Sequence, residues 1–106
     1  MAAVYQEKRG KWQQVVAEHL TTIDILAEEI QTKTVFCGEY VLQASETLSE
    51  KLGNKAVIPP ASALTRRAAF LAELGAARLK TGEIDNPATL QPLYLRKPPI
   101  TERKHI

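Results

Sequence analysis

The chain has 106 residues, and its 14 basic and 12 acidic side chains give a formal net charge of +2. Its composition is 44% apolar and 25% charged, which is typical of a folded domain and argues against a disordered chain. No apolar run approaches the ~20 residues that a membrane-spanning helix needs. The single cysteine, Cys37, allows no intrachain disulfide and fits a reducing cytoplasm.

The first residues predict a β-hairpin. Residues 2–6 are short and apolar, and residues 12–20 read as a second strand. Gly10 lies between them and can take the positive φ of a tight turn without steric cost. Tyr5 and Trp12 would then lie near each other across the hairpin, where aromatic cross-strand packing explains both without a ligand.

The middle of the chain predicts two helices and two short strands. Thr21 fits the N-cap of the first helix, and Asp24 follows it at capping-box spacing. Residues 34–37 lack polar alternation, which is typical of a strand covered on both faces. The second helix is marked by Leu42, Ser45, Leu48 and Leu52. Gly53 suits its C-terminal cap, and residues 56–58 form the next buried strand.

A third helix is expected from a cap at Ser62 to about Lys80. Its inner face would consist of Leu64, Ala68, Leu71, Ala72, Gly75 and Leu79. Asn86-Pro87 then starts a loop, because the residue before a proline disfavours helix. Residues 90–106 are expected to be an extended basic tail, since residues 92–99 contain three prolines.

Strands that alternate with helices predict the α/β class, with a mixed sheet flanked by helices. The later strands should be parallel and joined by right-handed crossovers. The sequence shows no internal repeat and no long linker. We therefore expect residues 1–106 to form a single domain.

Side chains that could support catalysis or metal binding are scarce. His19 and His105 have no evident cysteine or serine partner in the sequence, and Cys37 is expected to be a small buried hydrophobe. No metal-ligand spacing is present, and the glycines form neither a Walker loop nor a dinucleotide fingerprint. We expect no metal and no cofactor.

Two features bear on anionic partners. Gly38 lies between a strand end and a helix start, where ligands often bind in α/β sheets, but Glu39 beside it would repel a phosphate. Arg66-Arg67 would start the third helix, where the helix dipole disfavours cations, which hints at an external anion. A basic cluster in the tail could contact RNA phosphates, or it could be a solvated terminus. It consists of Arg96, Lys97, Arg103, Lys104 and His105.

Residues 92–96, Pro-Leu-Tyr-Leu-Arg, resemble the Pro-x-Tyr-Leu-Arg ending of the TsaB family, also called YeaZ. The matching motif residues are Pro92, Tyr94, Leu95 and Arg96. Residues 61–82 and Asp85 are similar to the last long helix of that family and the turn after it. The hairpin and residues 35–38 match in order and spacing, with less information in each.

The resemblance implies the C-terminal lobe of an actin-like ATPase superfamily protein, with an incomplete ribonuclease-H-like fold. It also implies a non-catalytic scaffold that pairs with TsaD, and TsaE joins them. TsaD transfers a threonylcarbamoyl group to the adenosine beside the tRNA anticodon. No catalytic residue is assigned to this chain, and tRNA is a further expected partner.

The chain departs from the family pattern at its start. In the family a strand ending in Asp-Ala-Arg precedes the hairpin, and a whole lobe, which carries most of the TsaD surface, precedes that strand. We therefore expect a fragment in which residues 1–6 form an unpaired edge that pairs with a second copy. Two other functions are carried as alternatives: a glycoprotease-type hydrolase, as an old family label suggests, and a small RNA-binding module that uses the basic tail.

Overall fold

The computed structural model describes residues 1–96, which divide into two compact units. One contains Met1–Thr21 with the described residues from Pro87 onward, and the other is Thr22–Asn86. The elements of these residues are the strands β1 (Ala2–Lys8), β2 (Lys11–His19), β3 (Thr34–Val35) and β4 (Ala56–Val57) and the helices α1 (Ile23–Glu29), α2 (Val41–Leu52) and α3 (Ala68–Lys80). The predicted α/β class is confirmed at this level.

The predicted N-terminal hairpin is confirmed, because β1 pairs antiparallel with β2. The turn consists of Arg9 and Gly10, which both have positive φ values, 53° and 78°. Two central residues with positive φ define a type I′ turn, whose twist matches that of the flanking strands. Strand β1 therefore extends two residues beyond the predicted 2–6, whereas β2 has the predicted nine residues and begins and ends one residue earlier than 12–20.

The two strands of the hairpin are not equally regular. Tyr5 faces Gln14, whereas the preceding residue, Val4, faces Val16, so β2 has one extra residue at this step. The next step, to the pair of Ala2 with His19, adds another residue on the same strand. The irregularity is therefore confined to β2, and β1 keeps an unbroken alternation.

The second sheet pairs β3 with β4 in parallel, as expected, and each strand has only two residues. The Phe36 amide donates to the Val57 carbonyl at 3.0 Å and extends the pairing by one bond. Among the described residues the strands thus form two separate two-stranded sheets, where the sequence predicted one mixed sheet. Pro59 stops β4, because a proline has no N–H for a ladder.

Helix α1 begins one residue later than predicted. Thr22, with an extended backbone, accepts a hydrogen bond from the Ile25 amide at 3.3 Å, so Thr22 is the N-cap in place of Thr21. Asp24 lies in the first turn, where a carboxylate suits the positive end of the helix dipole. Its carboxylate also pairs with the Lys51 ammonium of α2 at 3.1 Å.

The core of the second unit is built around α2. Leu48 is only 1% exposed, and the buried residues packed with it are Phe36, Val41, Ala44 and Leu64. Partly buried residues from α1, the two short strands and their flanks complete the cluster: Ile23, Leu26, Ile30, Leu52, Ala56 and Ile58. On the face of α2 that the sequence marked, Leu48 is buried and Leu52 packs against the core. At the start of the helix, however, Val41 is buried and Leu42 is half exposed. Gly53 ends the helix as predicted.

Helix α3 begins at Ala68, six residues later than the predicted cap at Ser62. Three contacts hold the preceding residues out of a helix. Leu64 is buried in the core, the Arg67 guanidinium donates to the Ser62 carbonyl at 2.6 Å, and Arg66 is paired with a distant carboxylate. Residues Ala61–Ala63 form a short 3₁₀ turn instead.

Candidate interaction surfaces

The strongest polar contact in the second unit joins two distant loops. The Arg66 guanidinium meets the Glu39 carboxylate through two hydrogen bonds, Nε to Oε1 and Nη2 to Oε2, each 3.1 Å long. The hydrogen bonds from Arg66 lower the pKa of Glu39, and the same pair raises that of Arg66. This bidentate geometry fixes orientation as well as distance, and it connects the start of α2 to the segment before α3.

This ion pair changes two expectations about anions. Arg66 already has an internal anionic partner, so its position does not indicate an external one. It also does not lie in a helix, so the predicted conflict with the helix dipole does not arise at this residue. The Glu39 charge, which was expected to repel a phosphate beside Gly38, is engaged by Arg66.

His19 and Cys37, the candidate catalytic side chains within residues 1–96, belong to different units. His19 is at the end of β2, with its Nδ1 2.8 Å from the Ala17 carbonyl oxygen. Cys37 is exposed, contrary to the expectation of a buried thiol, because β3 ends before it and Phe36 takes the buried position. No group of three metal-ligating side chains occurs within residues 1–96.

Helix α3 presents an exposed apolar surface in the second unit. All of its 13 residues are exposed, and its large apolar side chains remain 60% exposed or more. These side chains are Phe70, Leu71, Leu74 and Leu79. On a helical projection they span about half of the circumference, and alanines occupy most of the other half. The predicted inner face of α3 is therefore wrong, since none of its members within the helix is buried.

A helix that is apolar around most of its circumference is normally buried. Sequence reasoning missed Phe70 and Leu74 because it placed α3 against a sheet through its small residues. The signal that could have identified them is the near absence of a polar face. Only Glu73 and Lys80 form a charged strip, and Arg78 lies among the large apolar side chains.

An open cleft of about 390 Å³ lies at the end of α3. Its lining residues are Gly75, Arg78, Leu79, Glu83, Ile84 and Asp85. The Arg78 guanidinium donates to the Glu83 carboxylate at 3.1 Å, and the Thr81 hydroxyl donates to the Arg78 carbonyl at 2.8 Å. These bonds close the helix end on itself, so they account for the Arg78 and Glu83 side chains of the cleft without a ligand.

The hairpin has a second exposed surface. Neither of its strands contributes a buried residue, and Trp12 is 73% exposed. Tyr5 faces Gln14 and Trp12 faces Glu7, so the two aromatic rings are diagonal neighbours on one face of the hairpin. The Gln14 side-chain amide donates to the Tyr5 hydroxyl at 3.2 Å. The proximity predicted for the two aromatic residues is confirmed.

The motif that carries the family resemblance lies at the end of the described residues. Pro92 to Arg96 contain neither helix nor strand, in agreement with the predicted extended tail. Tyr94 is 67% exposed and Leu95 is half-buried. Arg96 is exposed. The other basic residues predicted to contact RNA, Lys97, Arg103, Lys104 and His105, lie outside the described residues, so RNA contact stays a prediction.

Within residues 1–96, no helix has the length and apolar character required to cross a membrane. Comparisons with protein-family models, with curated proteins and with solved structures found no match for this chain.

Proposed function

We propose that this chain is the C-terminal lobe of a TsaB-like scaffold in the cytoplasmic tRNA threonylcarbamoyladenosine modification complex. In this role it binds partner proteins and performs no chemistry itself. The family assignment depends on the resemblance of residues 92–96 to the TsaB ending. The single structural observation that supports a scaffold is α3, a helix of 13 exposed residues of which only Glu73, Arg78 and Lys80 are charged.

The order of elements also supports the finer fold assignment. A ribonuclease-H-like lobe contains antiparallel strands at the start, followed by parallel strands that alternate with helices. This chain has an antiparallel hairpin, then α1, then a parallel pair joined through α2, then α3.

The apolar surface of α3 explains how such a lobe would act as a scaffold. An exposed apolar patch of this kind marks a protein interaction site. Four large side chains on one helix match the way in which an amphipathic helix enters a groove of its partner. Arg78 lies among them, and arginine is enriched at the centres of interfaces. We propose that TsaD is the protein that covers this helix, and that TsaE joins the assembly.

The test is a pull-down of the whole chain against TsaD, beside a version that carries the N-terminal lobe of the family. Retention of TsaD by the short chain, with loss in the double variant Leu71→Asp/Leu74→Asp, would support both the function and the role of α3. A matched control is Glu73→Gln on the charged strip of the same helix, which should leave retention unchanged. Failure of both versions to bind TsaD would overturn the proposal.

A further inference from the structure

We propose that the outer edge of β1 binds β1 of a second copy of this chain, antiparallel and centred on Tyr5. The result would be one four-stranded sheet with the order β2, β1, β1, β2. This inference depends on the hairpin alone and not on the proposed function. Its experiment measures self-association, so it can fail or succeed independently of TsaD binding.

The hairpin turn determines which backbone groups of β1 point away from β2. Arg9 and Gly10 form a two-residue turn, so the flanking pair, Lys8 with Lys11, exchanges both hydrogen bonds inside the hairpin. Inward and outward groups alternate along a strand. Lys8 and Gln6 therefore direct their amides and carbonyls toward β2, and Glu7, Tyr5 and Ala3 direct theirs outward.

The two outer edges of the hairpin differ in their ability to accept another strand. The extra residues of the hairpin are in β2, where bulges increase the twist and protect an edge from pairing. The seven residues of β1 have no insertion. Among residues 1–96, the only strand hydrogen-bonded to β1 is β2. Within residues 1–96, the outer edge of β1 is therefore regular and pairs with no other strand.

The strand that fits this edge is β1 of a second copy. A two-fold axis through Tyr5 pairs Ala2 with Lys8 and Ala3 with Glu7 of the second copy, so the whole strand is used and no like charges face each other. Because the outward groups belong to Ala3, Tyr5 and Glu7, this register makes hydrogen-bonded pairs of Ala3 with Glu7 and of Tyr5 with Tyr5. Moving the centre to Glu7 would place two carboxylates opposite each other. The sequence of β1 is thus compatible with antiparallel pairing to a second copy of the same strand.

The hairpin alone has too few strands to be stable by itself. An isolated two-stranded hairpin is marginally stable in water, and three or more strands with an apolar face are required for independent stability. This hairpin has no buried residue, and Tyr5 is 53% exposed. A second copy brings the two Tyr5 rings together and continues their face to Trp12 on both sides. Self-pairing therefore gives Tyr5 a cross-strand neighbour and raises the number of strands above the two that are marginally stable alone.

The test is sedimentation velocity of the full chain across micromolar to millimolar concentration, with three charge variants. Ala3→Glu places like charges opposite each other at two symmetric positions and should raise the dimer dissociation constant about tenfold. Ala3→Lys should keep or tighten the dimer, because it faces Glu7. The double variant Ala3→Glu/Glu7→Lys should restore the dimer, since opposite charges face each other again.

Recovery in the double variant separates a specific register from a hairpin that merely unfolds, since unfolding by Ala3→Glu would not be repaired at Glu7. A wild-type chain that remains monomeric at every concentration would overturn the inference. A dimer that is insensitive to all three variants would also overturn it, and would point to another surface, such as α3. Binding that appears only with TsaD present would show that a partner chain occupies the edge instead.

Discussion

Helices α2 and α3 have nearly the same length, 12 and 13 residues, and opposite relations to the core. Helix α2 contributes Val41, Ala44 and Leu48 to the buried cluster, whereas α3 contributes nothing. Yet α3 has the higher share of apolar residues. The comparison shows that a clear polar face, with Gln43, Glu46, Ser49 and Glu50 on α2, is a better indicator of intramolecular burial than apolar content alone.

The same contrast separates the two compact units. The second unit has a buried cluster that includes residues from α2, from beside β3 and from the loop before α3. The hairpin of the first unit has exposed side chains on both faces and no buried residue. The second unit is therefore expected to carry most of the folding free energy, and the hairpin to depend on what pairs with it.

The strongest test of this contrast is a matched pair of leucine truncations. Leu48→Ala leaves a cavity beneath α2 and should lower the free energy of unfolding by ~2–5 kcal/mol. Leu74→Ala on α3 removes the same atoms from a side chain that is 65% exposed, so it should cost less than ~0.5 kcal/mol. Urea denaturation at fixed protein concentration measures both. Equal losses would show that α3 is packed in solution and that the contrast is wrong.

A pair of glycines tests the hairpin turn against α3. An added Cβ at Gly10 or at Gly75 meets no atom within 4 Å, so any effect arises from the backbone. Gly10 has a φ of 78°, and Gly10→Val should destabilise the hairpin by ~1–2 kcal/mol. Gly75 is in a regular helix, and Gly75→Ala should stabilise α3 by ~0.5–1 kcal/mol. Amide hydrogen exchange localises both changes, and effects of the same sign would contradict the assigned turn.

The cap of α1 gives a smaller effect within the second unit. Thr22→Ala removes the acceptor for the Ile25 amide and should lower stability by about 1 kcal/mol. Thr22→Ser keeps the hydroxyl that accepts this bond and should therefore avoid most of that loss. Thermal unfolding of the three proteins is the measurement. A serine variant as unstable as the alanine variant would show that the threonine methyl group, and not the cap, matters.

The smallest expected effect is the pH dependence from Glu39. Its pKa is lower in the folded protein than the ordinary value, so the pair with Arg66 contributes stability above the ordinary glutamate pKa. This contribution is lost as the pH falls through the lowered folded-state pKa. Glu39→Gln should therefore reduce the pH dependence of stability in the acidic range, while neutral stability changes little because both groups are exposed. If the free energy of unfolding of Glu39→Gln falls with decreasing pH as steeply as that of the wild type, the pair with Arg66 does not contribute to stability.

Much of the fold follows from local sequence signals. Gly10, Gly53 and the short runs beside Phe36 and Val57 correctly predicted the hairpin turn, the end of α2 and a parallel pair. The choice of Thr22 over Thr21 as the N-cap of α1 could not be predicted, because either threonine can cap a helix and the choice depends on the backbone conformation. The separation into two sheets is a tertiary outcome that no local pattern contains.

The candidate surfaces were harder to predict from sequence, for a physical reason. The bond between Glu39 and Arg66 spans 27 residues, and no periodicity links positions so far apart. The start of α3 depends on that bond and on the burial of Leu64. The helix therefore begins at Ala68 and not after the predicted cap at Ser62. The exposure of Leu71 depends on the lack of a packed neighbour, which a single sequence does not encode.

The parallel pair of β3 and β4 has a consequence for the order of folding. Two-residue strands supply too few bonds to hold together unless the intervening α2 has already formed and packed. The bond from the Phe36 amide to the Val57 carbonyl should therefore open only when the entire unit unfolds. This amide is expected to be among the slowest to exchange with solvent deuterium, and its exchange rate would report the global stability of the unit from a single resonance.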